Sequence, residues 1–335
     1  MTVDLVICGL GAIGERVAAL ARLTARAHGG RVALVDRDES VRRRFEAPAS
    51  DAEVFSCLGD ALERRPGSVV VLSTASAFET VVPDLRVACA AGAPVLTTCE
   101  EAAWPFARHG ALAREVDELA RAAGVAIVGV GINPGFLLDF LPAVIAAPYP
   151  EPELILVERR VDVSTRRRAL QTKVGVGLKV AEFRRLAQLG EVGHRGLTES
   201  LHLLGAGLGA SWDTVETTLE PVVATTDTAG PDGSVIRCGD CLGVEHRGLA
   251  YQAGRVRVRL ELRMTYGEAQ PVDAVGLLGP PPLPARFEVS GGVPGDEGTA
   301  RIVLATVPAV LRTEPGLRTV LDLPGGVRAR WGLEH

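Results

Sequence analysis

Val3-Asp4-Leu5-Val6-Ile7-Cys8 runs directly into Gly9-Leu10-Gly11-Ala12-Ile13-Gly14, and the reading of this junction decides the fold. The apolar run reads as a buried strand and the glycines as a phosphate-binding turn. Gly9 lets the turn be tight, Gly11 lets the backbone approach a pyrophosphate, and Gly14 lets the following helix pack close on the sheet. The first helical amides, around Ala12 and Ile13, then face the anion. A strand-to-helix turn with convenient glycines would need no ligand, but the context supports one. Ile13, Val17, Leu20 and Leu23 recur at helical spacing over Ala12 to Ala27. A second apolar run, Arg31 to Val35, ends in Asp36, where an acid meets the ribose hydroxyls of NAD. The adjacent Arg37 is placed to cover the 2′-phosphate of NADP.

At 335 residues the chain is long enough for two domains, and 47% hydrophobic with 23% charged residues is ordinary for a globular protein. A formal charge of -5 gives no electrostatic case for nucleic acid, and the arginine triplets at 42–44 and 166–168 read as solvated faces. No apolar run approaches a membrane span and no signal-peptide pattern precedes the first strand, so no membrane partner is expected and the location expected is cytoplasmic. Cys8, Cys57, Cys89 and Cys99 read as small buried residues. Cys238-Gly239-Asp240-Cys241 has no second pair and reads as a hairpin loop, so no metal is expected.

Further strands are expected at Glu53 to Ser56, Ser68 to Leu72, Pro94 to Thr98 and Val125 to Val128. Helical segments are expected at Ala61 to Arg64, Ala77 to Ala91 and Ala103 to Ala123. Six strands with intervening helices make an α/β, doubly wound parallel Rossmann sheet, whose ligands bind outside the carboxyl ends of the strands. Chemistry is therefore expected from the loops at Asp36-Arg37, Ser73-Thr74-Ala75-Ser76, Cys99-Glu100-Glu101 and Gly129 to Gly135. Asn133-Pro134 also has the form of an N-cap opening a helix over Phe136 to Ala146.

The alternation breaks at Pro148 to Pro152, which sets domain limits at 1–148 and 149–312, with a terminal segment at 313–332. The second part reads as α+β with a largely antiparallel sheet. Its strands are expected at Leu154 to Val161, Val215 to Ala224, Val235 to Arg237, Leu249 to Met264 and Ala285 to Val289, and its helices at Lys179 to Leu189 and Thr198 to Gly207. Val256, Val258, Leu260 and Leu262 alternate with Arg and Glu, so that strand buries one face and wets the other.

Several motifs resemble the 2,4-diaminopentanoate dehydrogenase family of NAD(P)-dependent amine dehydrogenases, related in fold to dihydrodipicolinate reductases. They are Thr98-Cys99-Glu100-Glu101 with Trp104-Pro105, Gly131 to Phe136, Asp162 to Arg167 with Leu170 to Lys173, Gly193 to Ser200, Gly291 to Asp296, and Glu314 to Leu317. The resemblance spans most of the chain. It implies a homodimer, a C-terminal helix returning toward the nucleotide domain, and reversible oxidative deamination of a primary amine. The paired histidines and the Lys-x-Asp-x-Pro-Ser-Gly-Thr loop of true dihydrodipicolinate reductases are absent, which disfavours tetrahydrodipicolinate as substrate.

Amine oxidation by a nicotinamide needs a neutral amine and then a base that activates water, and one carboxylate can serve both proton steps. Glu100, the first residue past the fifth strand, is the favoured group, with Glu101 the alternative. For Glu101 the structural reading is a carboxylate at the positive end of the Ala103 helix. Asn133 offers an amide to the nicotinamide or to a carbonyl oxygen. The resemblance places Arg166, Arg167, Gln171, Lys173 and His194 near the substrate, with His194 a proton-exchange candidate and an arginine available to clamp a carboxylate. The partners expected are a small amine or carbonyl compound and ammonia. Another NAD(P)-dependent oxidoreductase on this scaffold, for an amino acid or semialdehyde, and a non-catalytic dinucleotide-binding sensor are the alternatives.

Overall fold

The computed structural model of the protein describes residues 3–46 and 53–328. The chain divides into two compact units, one made of residues up to 136 together with those from 294 onward, the other of Leu137–Val293. These limits fall earlier than the expected 148 and 312. The first unit is built from β1 (Leu5–Cys8), α1 (Ala12–His28), β2 (Val32–Val35), α2 (Glu39–Arg43), β3 (Glu53–Phe55), α3 (Leu58–Arg64), β4 (Val69–Leu72), α4 (Phe78–Ala90), β5 (Val95–Thr97), α5 (Gly110–Ala122) and β6 (Ala126–Gly129). The second carries α6 (Phe140–Ala146), β7 (Leu154–Asp162), α7 (Arg168–Lys173), α8 (Val180–Gln188), α9 (Leu197–Gly207), β8 (Thr214–Val223), β9 (Thr228–Ala229), β10 (Val235–Ile236), β11 (Cys241–Gln252), β12 (Arg255–Thr265), β13 (Val272–Leu278) and β14 (Ala285–Ser290). The chain then completes the first unit with α10 (Gly295–Val310) and β15 (Gly316–Arg318).

In the first unit the sheet order is β15-β6-β5-β4-β1-β2-β3 and every described pairing is parallel. All residues of β1, β2, β4, β5 and β6 are buried, as a sheet covered on both faces requires. The doubly wound reading holds, with seven strands among the described residues rather than six. The extra strand, β15, pairs with β6 and is held by the Asp117 carboxylate, which accepts from Leu317 N at 2.9 Å. The order of connection reverses between β1 and β4, so the loops after these two strands frame the crevice at the carboxyl edge.

Two expected helices differ, and a third lies where no local pattern marked one. The segment from Ala103 to Ala123 is not one helix: a 3-10 turn, Glu100–Ala103, is followed by irregular chain through Trp104 and Pro105, and α5 starts only at Gly110. Pro105 supplies no N–H to a continuous helix and opens a new path. The helix expected from Phe136 starts at Phe140. Gly135 lies at φ 119, which a right-handed helix cannot contain, and the N-cap is Asp139, whose carboxylate accepts from Phe140 N at 2.7 Å. Asn133 is therefore not the cap. The third, α10, was concealed by Gly298 and Pro308; it packs on α1, β5 and β6 and buries Ala300, Ile302, Val303 and Val307.

The second unit has a six-stranded sheet, β14-β13-β7-β12-β11-β8, antiparallel except where β7 pairs with β12. The expected single strand from Leu249 to Met264 is a hairpin. Ala253 and Gly254 at φ 51 and 70 turn β11 into β12. The alternation on β12 holds: Val258 and Leu260 are buried in a cluster with Ile155, Leu197, Leu201 and Leu204, and Leu262 is buried as well. A second cluster, including Val163, Val174, Phe183 and Val244, fills the α7–α8 end. Cys57 is exposed rather than buried, because its sulfur caps α3 by accepting from Asp60 N at 3.5 Å. Cys238 is exposed and Cys241 begins the buried part of β11. No helix of the described residues is long and apolar enough to cross a membrane.

Candidate active site

The glycine turn after β1 has the geometry its spacing predicts. Gly9 lies at φ 89, and a Cβ there would meet the Ser73 carbonyl oxygen at 2.7 Å, so the loops after β1 and β4 touch at the crevice. A Cβ on Gly14 would lie 1.8 Å from the Gly9 oxygen, so only glycine lets α1 lean on the turn. A Cβ on Gly11 would meet nothing within 4 Å. Gly11 is also the N-cap of α1 and brings no capping side chain, leaving the amides around Ala12 and Ile13 to an outside acceptor.

These residues border a cleft of about 680 Å³ at the carboxyl ends of β1, β2 and β4, whose walls include Asp36, Arg37, Cys57, Ser73, Thr74 and Asp84. The Ser73 hydroxyl is buried and has no hydrogen-bond partner. An orphaned hydroxyl beside open space over Gly11 and an uncapped helix start fits a pyrophosphate, so the residues present suit a dinucleotide. Ala75 continues the same loop and packs partly on the core, while Thr74 is exposed.

At the end of β2 the Asp36 carboxylate is already oriented: Oδ2 accepts from Leu10 N at 2.7 Å and Oδ1 from Asp38 N at 2.9 Å. A carboxylate keeps further acceptor capacity for ribose hydroxyls. Arg37 does not reach out from the loop alone, because its Nη2 donates to Asp84 Oδ1 on α4 at 2.8 Å. The 42–44 triplet is largely solvated, as expected, with Arg43 and Arg44 exposed, but two of its side chains also reach the backbone around the cleft. Arg42 Nη1 donates to the carbonyls of Asp36 and Arg37 at 2.9 and 2.8 Å, and Arg44 donates to Leu10 O at 3.3 Å. Asp84 and the two arginines were invisible to sequence reasoning, since nothing in their spacing links them to the glycine turn.

The loops after β4, β5 and β6 are tied together beside this cleft. Thr97 Oγ1 donates to Leu72 O at 3.0 Å, Val130 N to Thr97 O at 2.8 Å, and Glu101 N to Ser76 O at 3.2 Å. Gly129 is needed there, because its Cβ would meet the backbone of Ala102 and Ala103 at 2.6 Å. The 3-10 turn that begins with Glu100 therefore sits hard against β6. β5 ends at Thr97, so Glu100 lies three residues past the strand end rather than directly after it; it is half-buried, as is Asn133 in the loop after β6.

Glu101 has a different environment from Glu100. Its side chain is 6% exposed, and Oε2 accepts from Phe78 N at 2.9 Å and lies 2.9 Å from His109 Nε2. Phe78 is the first residue of α4, whose N-cap, Ala77, brings no capping side chain. Glu101 thus caps α4, not a helix at Ala103, and this places a buried carboxylate where the α4 dipole and its first N–H want one.

In the second unit, Gln171 is buried and its Nε2 faces the carbonyls of Val163, Ser164 and Arg166 at 3.0, 3.2 and 3.0 Å. That amide holds the 163–166 loop together, so it is committed to structure rather than to substrate. The His194 Nε2 atom is buried without a hydrogen-bond partner. Burial, with the positive charges of Lys173 and Arg159 and the neighbouring His246, holds the His194 ring well below the usual histidine range, so it is neutral. His246, on β11, is pushed down to about 4 by burial, and its Nδ1 is likewise unpartnered. Arg166 lies within electrostatic reach of the buried Arg159, which pairs with Asp273 at 2.6 Å. His246 lies ahead of the strand expected from Leu249, and nothing in the sequence singled it out.

A family model described as the 2,4-diaminopentanoate dehydrogenase C-terminal domain matches residues 136–329. The 2,4-diaminopentanoate dehydrogenase of Acetoanaerobium sticklandii is 28% identical over 334 residues, spanning 96% of this chain and 93% of that protein. Among solved structures, an amine dehydrogenase from Mycobacterium smegmatis matches with a TM-score of 0.82 at 20% identity, over 100% of this chain and 99% of that one. The WlbA dehydrogenase from Bordetella pertussis, solved with NADH and UDP-GlcNAcA, matches with a TM-score of 0.52 at 16% identity, over 86% and 74%. At these identities the structural likenesses show the fold.

Proposed function

Because the chain belongs to the 2,4-diaminopentanoate dehydrogenase C-terminal domain family, we propose that it is an NAD(P)-dependent amine dehydrogenase. Its reaction is the reversible oxidative deamination of a small primary amine to a ketone or aldehyde and ammonia. The observation that carries this reading is the shared carboxyl edge of one sheet. It bears both a cradle fit for a dinucleotide, with the orphaned Ser73 hydroxyl and open Gly11, and a half-buried carboxylate, Glu100, at the start of the 3-10 turn that follows β5.

A bound nicotinamide dinucleotide supplies the hydride acceptor in deamination and the donor in reductive amination. Gly9, Gly11, Ala12, Ile13 and Gly14 would hold its pyrophosphate, with Ser73, Thr74 and Ala75 on the facing loop and Asp36 available to the ribose. Glu100 takes a proton from the substrate ammonium, leaving the neutral amine that can lose hydride. After releasing that proton to solvent it takes one from water as the oxygen adds to the iminium carbon, then returns it to the adduct's nitrogen, so that collapse to the carbonyl releases ammonia. Asn133 offers its amide to the nicotinamide or to the carbonyl oxygen. On the substrate side His194, kept neutral by burial, accepts or shares a proton, and Arg166 and Lys173 supply positive charge. The second unit carries substrate and dimer contacts, and the enzyme works as a cytoplasmic homodimer.

The test is a panel of small primary amines and diamines with NAD or NADP, run in reverse with ketones and aldehydes, ammonia and reduced cofactor. Amine-dependent cofactor reduction is expected. Cofactor reduction by amino acids or semialdehydes alone, with no amine turned over in either direction, would overturn the reading in favour of another oxidoreductase.

A further inference from the structure

The cofactor cleft contains a charged pair for which the proton chemistry has no use. Asp84 lies in the middle of α4 and its side chain is only 11% exposed, whereas the Arg37 side chain that reaches it is 78% exposed. Both line the cleft, and the charged residues among its lining are Asp36, Asp38 and Asp84 against Arg37. The backbone under Arg37 is fixed from several sides. Arg42 holds the carbonyls of Asp36 and Arg37, and Asp38 caps α2 by accepting from Ser40 N and Oγ. The freedom left to Arg37 is that of its side chain, and Asp84 takes it up.

We propose that Asp84 is the positioning residue that sets the choice between NAD and NADP, by holding Arg37 against α4. The proposal rests on the reading of this cleft as the adenosine end of a dinucleotide site. A 2′-phosphate brings close to two negative charges to a wall that already carries three carboxylates. To meet it, the guanidinium has to leave Asp84, whose carboxylate is then mostly buried beside a second anion and without its cation. A free 2′-hydroxyl makes no such demand, because Asp36 accepts from it while the Arg37–Asp84 pair stays closed. Discrimination thus comes from a helix outside the β2 loop, acting through the arginine that would otherwise serve the phosphate.

Dissociation constants for NADH and NADPH, read from cofactor fluorescence without substrate, test this on the full chain. Asp84→Asn keeps the shape and removes the charge, and Asp84→Ser serves the same purpose if the amide does not fit. The ratio Kd(NADH)/Kd(NADPH) is expected to rise about tenfold in Asp84→Asn. The rise is expected to vanish in Arg37→Ala/Asp84→Asn, since it needs the released guanidinium. A ratio that moves by less than about twofold, or that rises equally in the double variant, overturns the role of Asp84 and leaves the dinucleotide reading standing. If the wild-type chain binds neither cofactor at millimolar concentration, both fall.

Discussion

Replacing Glu101 by alanine is expected to weaken the first unit while sparing most of the chemistry assigned to its neighbour. The Glu101 side chain is 6% exposed, and its Oε2 serves both the first N–H of α4, at Phe78, and His109 Nε2, each at 2.9 Å. The His109 side chain is 11% exposed, so neither donor finds water readily once the carboxylate is gone. Leaving a buried donor unsatisfied costs about 1–3 kcal/mol, and loss of a helix cap typically costs about 1 kcal/mol. The contact to Arg108, at 4.0 Å to a half-exposed side chain, adds little. Together these give about 3 kcal/mol, or a fall of roughly 6–12 °C in Tm for a unit of this size. Scanning calorimetry of Glu101→Ala beside Glu100→Gln separates the two carboxylates. Glu100→Gln keeps the shape but cannot take a proton, so its Tm should move little while turnover falls by roughly a hundred- to ten-thousandfold. Turnover of Glu101→Ala, measured well below its transition, should fall much less. Wild-type stability with abolished turnover in Glu101→Ala, alongside a near-normal Glu100→Gln, would show the roles reversed. If both variants stay active the carboxylate mechanism is wrong, and His194 is the next group to test.

The glycine turn separates packing from ligand contact: Gly14→Ala should lower Tm, since its Cβ meets the Gly9 oxygen at 1.8 Å, whereas Gly11→Ala should fold normally and weaken dinucleotide binding by about tenfold or more. Equal effects of the two on Tm would remove the assignment of Gly11. The folded His246 ring titrates near 4 against 6.5 when unperturbed, so the unfolded chain binds the extra proton. Its contribution is complete above pH 6.5 and is lost as pH falls toward 4, on the order of 3 kcal/mol in all. Urea midpoints followed from about pH 7.5 to about pH 4.5 should fall less steeply for His246→Gln than for wild type, and superimposable slopes would refute this. A homodimer through the sheet containing β12, whose wet face carries half-exposed Arg259 and Glu261, should sediment as such; a monomer at micromolar concentration would refute it.

Local patterns carried the first unit far. Fully apolar strands of four residues, followed by Gly9-Leu10-Gly11 and by Asp36, identify a parallel sheet and its ligand edge from neighbours in the chain alone. Where a long-range partner overrode the local signal, the expectation failed. Leu23, assigned to the buried stripe of α1, is 54% exposed, while the helix that covers α1 comes from residues 295–310 and looks broken by Gly298 and Pro308. The β11–β12 hairpin was concealed because Ala253 takes a left-handed conformation that alanine rarely adopts.

Sequence alone determined the elements whose stabilising groups are close along the chain: strands by composition, the phosphate turn by glycine spacing, and the carboxylate pair after the fifth strand by position. Tertiary structure decided what these polar side chains meet. Glu101 faces Phe78 and His109, Arg37 faces Asp84, and Gln171 faces its own loop, each because burial leaves a donor or a charge that must be matched by whatever the fold brings within 3 Å. Such matches join residues up to 47 positions apart, and no pattern of spacing along the chain encodes them.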